Sequence, residues 1–419
     1  MLPFAILLQM NATLSCRDDF PIFSQYTQQY KKPLVYLDSA ATSQKPQSVI
    51  DAMSTSLSTT NANVHRASYT LGAIANDHFE SARATIARFV GVADPSRIVF
   101  TKNATEAVNV VARGFIESSC QAGNRIAATR MEHHANFVPW QQLAKKHNMV
   151  FDTIAITPEG TLCEESFDAV LQRGPKLIAL THCSNVLGTI NPVKRLIEKA
   201  HTHGAAVMID GTQAVPHMSV NVDELGADFY VFTGHKMVGP TGVGVLTGKK
   251  QRLEALPPFL FGGDMIDTVT IADATFAALP NRLEAGTLPI AEAIGLAAAC
   301  AYLEKVGFHQ IEQHEKRLLS QLLDGLAAMP AVQLYGTSDL NMRAGICSFT
   351  VKGAHPHDIS MVLDAAGICV RSGNHCAQPL FCELGIEGCL RASIYLYNNE
   401  ADIEALLTSM HKAIRLFAR

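Results

Sequence analysis

Two apolar runs in this chain break into polar residues in the same way. Val207-Met208-Ile209 leads into Asp210-Gly211-Thr212-Gln213, and Phe229-Tyr230-Val231-Phe232 leads into Thr233-Gly234-His235-Lys236. Each run reads as a short buried strand that surfaces at its carboxyl end. Strands of this kind belong to α/β sheets, where ligands bind at the carboxyl ends, so Asp210 and Lys236 are expected to point into one crevice. A lysine and a carboxylate in one pocket suit pyridoxal phosphate. The amine forms a Schiff base with the cofactor's aldehyde, and the carboxylate keeps the pyridine nitrogen protonated so that the ring draws electrons. Alone, the two segments equally describe strands that end in solvent on an ordinary Asp and Lys.

A chain of 419 residues exceeds one ordinary core and predicts two domains or three. With 48% apolar and 17% charged residues the composition is that of a globular protein, and a net charge of −4 without a basic run gives no reason to invoke nucleic acid or an anionic membrane. Ten cysteines without a C-x-x-C pair suggest neither a secreted disulfide framework nor structural zinc, so no metal is expected and the thiols read as reduced and cytoplasmic. The apolar segment Pro3 to Leu8 is too short, and too poor in preceding basic residues, for a signal peptide, and Met10 is an alternative start. No run is long enough for a membrane span.

Further strand-to-helix junctions surround the opening pair. Leu34 to Asp38 reads as a strand, followed by a helix from Pro46 to Ser58 and a polar loop, Asn61 to Arg66. A helix over 76–90 precedes the strand Arg97 to Phe100. The helical run Ala107 to Phe115 follows, and Thr105 before it is a candidate phosphate ligand at a helix start, where a plain cap would look the same. The strand Arg125 to Thr129 delivers His133 and His134, and strand 177–182 ends near Asn185. Residues 257–288 read as loop-rich. Helices at 291–306 and 310–328 then lead into a mixed tail: strands at 345–351, 368–371 and 390–394, a helix at 357–366, and a final amphipathic helix with Asn399 at its cap position.

The tail carries Arg371-Ser372-Gly373-Asn374-His375-Cys376-Ala377-Gln378-Pro379. A cysteine after a glycine turn, beside a histidine and near an arginine, is a nucleophile candidate, whereas Cys183, Cys300, Cys347 and Cys369 lie in apolar contexts that suit packing.

Taken together, eight motifs in unbroken order from Tyr36 to the C-terminus resemble the group II cysteine desulfurases, SufS-like and CsdA-like, of the class V aminotransferase superfamily. They are Tyr36 to Ala41, Asn63 to Arg66, Met131 to Asn136, Ser184 to Gly188, Asp210 to Ala214, Gly234 to Lys236, Glu284 to Thr287 and Arg371 to Pro379. The resemblance implies an α/β fold of the type I pyridoxal-phosphate transferases: a large domain with a mostly parallel seven-stranded sheet and a smaller α+β C-terminal domain. On this reading 1–31 is an N-terminal segment, 32–300 the cofactor domain and 301–419 the domain carrying the cysteine loop.

The resemblance also assigns roles. Lys236 holds pyridoxal phosphate, Asp210 bonds its ring nitrogen, Gln213 contacts the ring hydroxyl and His133 stacks on the ring. Thr105, Thr233 and His235 bind the phosphate, with Thr287 supplied across a homodimer. Asn185 and Arg391 fix the substrate carboxylate, with Arg371 nearby, and Cys376 takes the sulfur of L-cysteine as a persulfide; because a free thiol is mostly protonated near neutral pH, His375 or His134 is expected as its base. A SufE-like or CsdE-like protein then accepts the sulfur for iron–sulfur cluster assembly or other sulfur trafficking. Selenocysteine lyase, acting on L-selenocysteine, is the rival activity. The chain departs from the family at Asn374, where a second histidine is usual, at Thr233, where Ser is usual, and at Leu288-Pro289 after Gly286-Thr287.

Overall fold

The computed structural model describes residues 14–65 and 68–417; the segment Pro3 to Leu8, Met10 and Arg66 of the polar loop lie outside them. After β1 (Val35–Tyr36), seven strands form the large sheet: β2 (Val99–Thr101), β3 (Arg125–Thr129), β4 (Val150–Ile154), β5 (Leu177–Thr181), β6 (Ala206–Asp210), β7 (Phe229–Thr233) and β8 (Gly244–Gly248). Their spatial order is β2-β8-β7-β6-β5-β3-β4, and only β8 runs antiparallel to its neighbours. This is the expected mostly parallel seven-stranded sheet.

Alternate residues of the central strands feed two separate cores, as the two-residue repeat of a strand requires. Ile178, Val207, Ile209, Tyr230 and Phe232 face one core, closed by the helices Thr70–Phe89, Val193–Thr202 and Ile290–Val306. Ala179, Met208, Phe229 and Val231 face the other, under the helices Ala104–Ser119 and Val138–Lys146. Every residue of β5 to β8 is buried, which is why these strands read as continuous apolar runs.

After the hairpin β9 (Ile266–Val269) and β10 (Ala274–Phe276), a second, antiparallel sheet is built from β11 (Val332–Tyr335), β12 (Ile346–Val351), β14 (Arg371–Gly373) and β15 (Cys389–Ser393), in the order β11-β12-β15-β14. The short strand β13 (Ile368–Cys369) pairs instead with β1, in parallel. Val35 and Leu37 therefore belong to the core of the C-terminal layer, with Leu318, Phe349, Leu390 and Leu406, although they precede the whole large sheet in sequence. The helix Ile290–Val306 runs across the division expected at residue 300.

Several boundaries shift for local reasons. Asn103 accepts the Glu106 N–H and starts the next helix at Ala104 rather than Ala107. Asp94 caps a single turn at Pro95–Arg97, so β2 begins at Val99. The helix expected from 76 begins at Thr70, and the strand expected at 368–371 breaks into β13 and β14. Residues 257–288 contain the β9–β10 hairpin. Asn399 does cap the final helix, accepting the Asp402 N–H at 3.1 Å.

Candidate active site

Asp210 ends β6, and β7 runs through Thr233 directly into the turn Gly234–Lys236. The strands are parallel neighbours with Asp210 opposite Val231, so both tips reach one cavity of about 290 Å³. Their close packing needs Gly211, since a Cβ there would lie 2.1 Å from the Tyr230 hydroxyl oxygen. Burial pulls the Lys236 amine down to about 8; the negative charge of Asp210 works against this and Arg391 adds to it. An amine so lowered is a nucleophile and a base near neutral pH.

The tips that follow β2, β3 and β5 bring Thr105, His133 and Asn185 to the same cavity, together with Gln213 and His235. Thr105 sits in the first turn of the helix Ala104–Ser119, where backbone N–H groups are free for an anion. Gly244 lets that helix start approach the sheet: a Cβ there would lie 2.5 Å from the Asn103 carbonyl carbon. The His133 Nδ1 accepts the Ala135 N–H at 3.1 Å, which fixes the ring, and burial pushes its pKa down to about 3, so it is neutral. The Thr233 hydroxyl donates to Val243 O at 3.2 Å, and serving a phosphate requires turning it. Thr287 is exposed and is not among the cavity residues.

The fit of pyridoxal phosphate can be tested on atoms left over. Gln213 donates through Nε2 to Ala40 O at 2.7 Å, which leaves its Oε1 buried with no partner among the described residues. The Thr212 hydroxyl is likewise buried and unpaired. Unpaired buried polar atoms are costly and mark a place for a polar ligand. With Asp210, a half-buried amine and a helix start on the same cavity, the residues fit the cofactor.

The second sheet supplies the other wall. Arg371 on β14 and Arg391 on β15 are directly opposite in register, and both line the cavity. Asp38, at the end of β1, receives hydrogen bonds from both, at 2.8 Å from Arg371 and 3.2 Å from Arg391. Asn185, which lines the cavity, also bonds across to the second sheet and its loop. Its Nδ2 donates to His375 O and its backbone carbonyl accepts from Arg391, each at 2.9 Å, so it positions the arginine and the cysteine loop.

Cys376 is exposed and lies between this cavity and an outer groove of about 760 Å³ that also touches His134, Arg113 and Phe259. His375 and Cys376 both have left-handed backbones, at φ 49° and 56°, which is costly for residues with side chains. The surroundings hold them there. His134 N–H donates to Cys376 O at 2.6 Å, and Asn374 Oδ1 accepts the Cys376 N–H at 3.2 Å. Asn374 thus fastens the loop.

Each histidine expected as a base for Cys376 has its Nε2 engaged, while His375 Nδ1 is buried without a partner among the described residues. The His134 Nε2 accepts the Gln378 N–H at 3.0 Å, and the buried His375 ring contacts Cys389 Sγ at 3.2 Å, with burial lowering its pKa to about 3.

Sequence reasoning passed over two acids. Glu132 is fully buried and accepts from Thr129, Thr181 and Asn136 at 2.5–2.7 Å. Burial raises its pKa to about 8; the bonds from Thr129, Asn136 and Thr181 oppose the shift, and the charge of Asp210 adds to it. Asp38 lies in a quoted motif, yet its two arginine partners are 333 and 353 residues away in sequence. Glu284 proves structural: it forms a buried ion pair with Arg83 at 2.8 Å and also accepts the Phe100 N–H.

The family model for class V aminotransferases matches residues 35–406. A probable cysteine desulfurase of Halalkalibacterium halodurans is 46% identical over 95% of this chain and 97% of its own, and one of Staphylococcus aureus is 44% identical over 96% of each. Among solved structures, an apo cysteine desulfurase of Thermococcus onnurineus superposes with a TM-score of 0.91 at 37% identity, covering 97% of this chain and all of that one. The cysteine desulfurase CsdA of Escherichia coli gives 0.88 at 35% identity, covering 96% and 98%.

Proposed function

Since the chain belongs to the class V aminotransferase family and, within it, to the cysteine desulfurases, we propose that it converts L-cysteine to L-alanine and keeps the sulfur as a persulfide on Cys376. The observation that carries this reading is the meeting of Lys236 and Cys376, from two different sheets, on one cavity with Arg391.

Pyridoxal phosphate, when bound, supplies an electron-withdrawing ring that stabilises negative charge at the substrate's α-carbon. Lys236 would hold it, Asp210 its ring nitrogen and Gln213 its ring hydroxyl, with His133 over the ring and Thr105, Thr233 and His235 around the phosphate. Arg391 binds the substrate carboxylate, and its Nε, buried without a partner among the described residues, is the donor left for it. The Lys236 amine, poised near neutrality, takes the α-proton and returns a proton to the product. Cys376 Sγ then bonds to the substrate sulfur as the carbon–sulfur bond breaks. Thiol and cysteine become persulfide and alanine, with no outside oxidant.

Further assignments rest on single features. Thr287, exposed and away from its own cavity, serves the neighbouring site of a homodimer. A sulfur-acceptor protein of the SufE or CsdE type reaches Cys376 through the outer groove, since the short loop cannot travel. All ten cysteines are free, in keeping with a reducing, cytoplasmic setting. Among the described residues no helix is long and apolar enough to cross a membrane.

The test is alanine release from L-cysteine by protein loaded with pyridoxal phosphate, without any keto acid. Alanine that appears only when a keto acid is added would identify a plain aminotransferase instead. If Cys376→Ala abolishes cysteine desulfuration, sulfur transfer runs through that thiol; release from selenocysteine alone would favour the lyase.

A further inference from the structure

The turn Gly234–Lys236, which carries the amine of the site, is gripped by a segment from the start of the chain. A carbonyl has two lone pairs, yet four donors converge on that of His235: the Ser43 N–H at 2.9 Å, the Lys45 ammonium and the Thr42 hydroxyl at 3.0 Å each, and the Ser43 hydroxyl at 3.2 Å. On the other side of Lys236, the Ser43 hydroxyl oxygen accepts the Val238 N–H at 2.8 Å. Val238 has a left-handed backbone, at φ 55°, which is costly for a β-branched residue, and this bond helps to hold it there. Residues 42–45 thus hold the chain on both sides of Lys236, from 190 to 195 residues away in sequence.

Lys45 is the costly member of this grip. Its side chain is half-buried, burial pulls its amine down to about 8, and no carboxylate among the described residues offsets this. Its ammonium bonds instead to two carbonyls, those of Ser43 and His235. It is not among the residues lining the cavity, so it acts through the turn rather than on a ligand. Thr42 and Ser43 tie the His235 carbonyl with neutral donors, whereas Lys45 adds a charged one, and charged hydrogen bonds are the stronger kind. We propose that Lys45 is a positioning residue that fixes the peptide between His235 and Lys236, and so sets where the Lys236 amine and the His235 ring stand in the cavity. This rests on the proposed function, because it takes Lys236 as the residue that bonds the cofactor.

The experiment mixes the full chain, stripped of cofactor, with pyridoxal phosphate and follows in time the visible absorption of the bond to Lys236. The circular dichroism of that band is a second signal, and the Tm of the cofactor-free chain is the control for stability. Lys45→Met keeps the apolar stem and removes the charged donor. It should slow formation of the band by about tenfold or more, the size expected for one lost charged hydrogen bond, and change the dichroism of the band. Lys45→Arg keeps the charge and should restore most of the rate. Lys45→Gln keeps the test open if Lys45→Met does not fold, and should slow the band in the same direction. A folded Met or Gln variant that forms the band at the wild-type rate with unchanged dichroism, even at a lowered Tm, makes Lys45 merely structural; that overturns the proposal and leaves the proposed function standing. A slowed band that Lys45→Arg does not restore places the effect in packing rather than in the charged bond and overturns it as well. A wild type that forms no visible band overturns the cofactor assignment and this role with it.

Discussion

The cofactor end and the cysteine loop face each other across one cavity and are built on opposite principles. Asp210 and Lys236 stand on the ends of buried parallel strands whose register fixes them to each other. Cys376 stands on a loop with two left-handed residues, held by Asn185 and His134 from the other layer and by Asn374 within the loop. The strand ends provide a rigid frame for chemistry that many enzymes share. The loop provides the group that makes this chemistry a sulfur transfer, and its geometry depends on contacts distant in sequence.

The sharpest separation of the two comes from removing one group from each. Lys236→Ala should lower turnover by roughly 10⁴-fold or more and abolish covalent retention of the cofactor, read as loss of its visible absorption. Cys376→Ala should also end desulfuration while leaving that absorption in place. If both variants lost the cofactor band, the two regions would not be independent. Arg391→Ala comes next. Losing a charged hydrogen-bond partner should raise KM by about 10–100-fold, measured by steady-state alanine release.

A smaller effect probes the loop alone. Asn185→Ala removes one hydrogen bond to the His375 carbonyl and should slow persulfide formation by about tenfold, with cofactor binding unchanged. Rapid-quench measurement of the Cys376 persulfide checks this, and an unaltered rate would mean the loop holds its shape without Asn185.

The smallest effect concerns Glu132 under the cofactor end. Its pKa is raised from 4.5 to about 8 in the fold, so the folded chain keeps a proton that the unfolded chain loses above pH 4.5. That contribution to stability is complete below pH 4.5 and is lost as pH rises through 8. Glu132→Gln should therefore flatten the fall of Tm across this range, by roughly 2–4 °C for each kcal/mol involved. Thermal unfolding at several pH values reads it, and parallel curves for the two proteins would contradict it.

The same contrast explains what the sequence disclosed. The strands leading to Asp210 and Lys236 announce themselves because every residue of them is buried. The amphipathic final helix and its Asn399 cap are local and equally plain. The membership of β1 in the C-terminal layer is not, because its partner β13 lies over 300 residues away and two paired residues leave no pattern of their own. His375 and His134 are expected as bases because a free thiol is mostly protonated near neutral pH. The Nε2 of each is engaged, by Cys389 and by the Gln378 N–H, through contacts that only the fold creates. Asp38 and Glu132 escaped assignment for the same reason: an acid's role is set by its partners, and theirs come from other strands.

The central claim, that sulfur passes from a substrate held at the strand ends to the thiol on the loop, has a direct measurement. The cofactor-loaded protein is incubated with L-cysteine without an acceptor, digested under non-reducing conditions, and the peptide containing Cys376 is weighed. The account predicts one added sulfur atom on that peptide, and none on it in the Lys236→Ala variant. An unmodified Cys376 peptide alongside continued alanine release would contradict it.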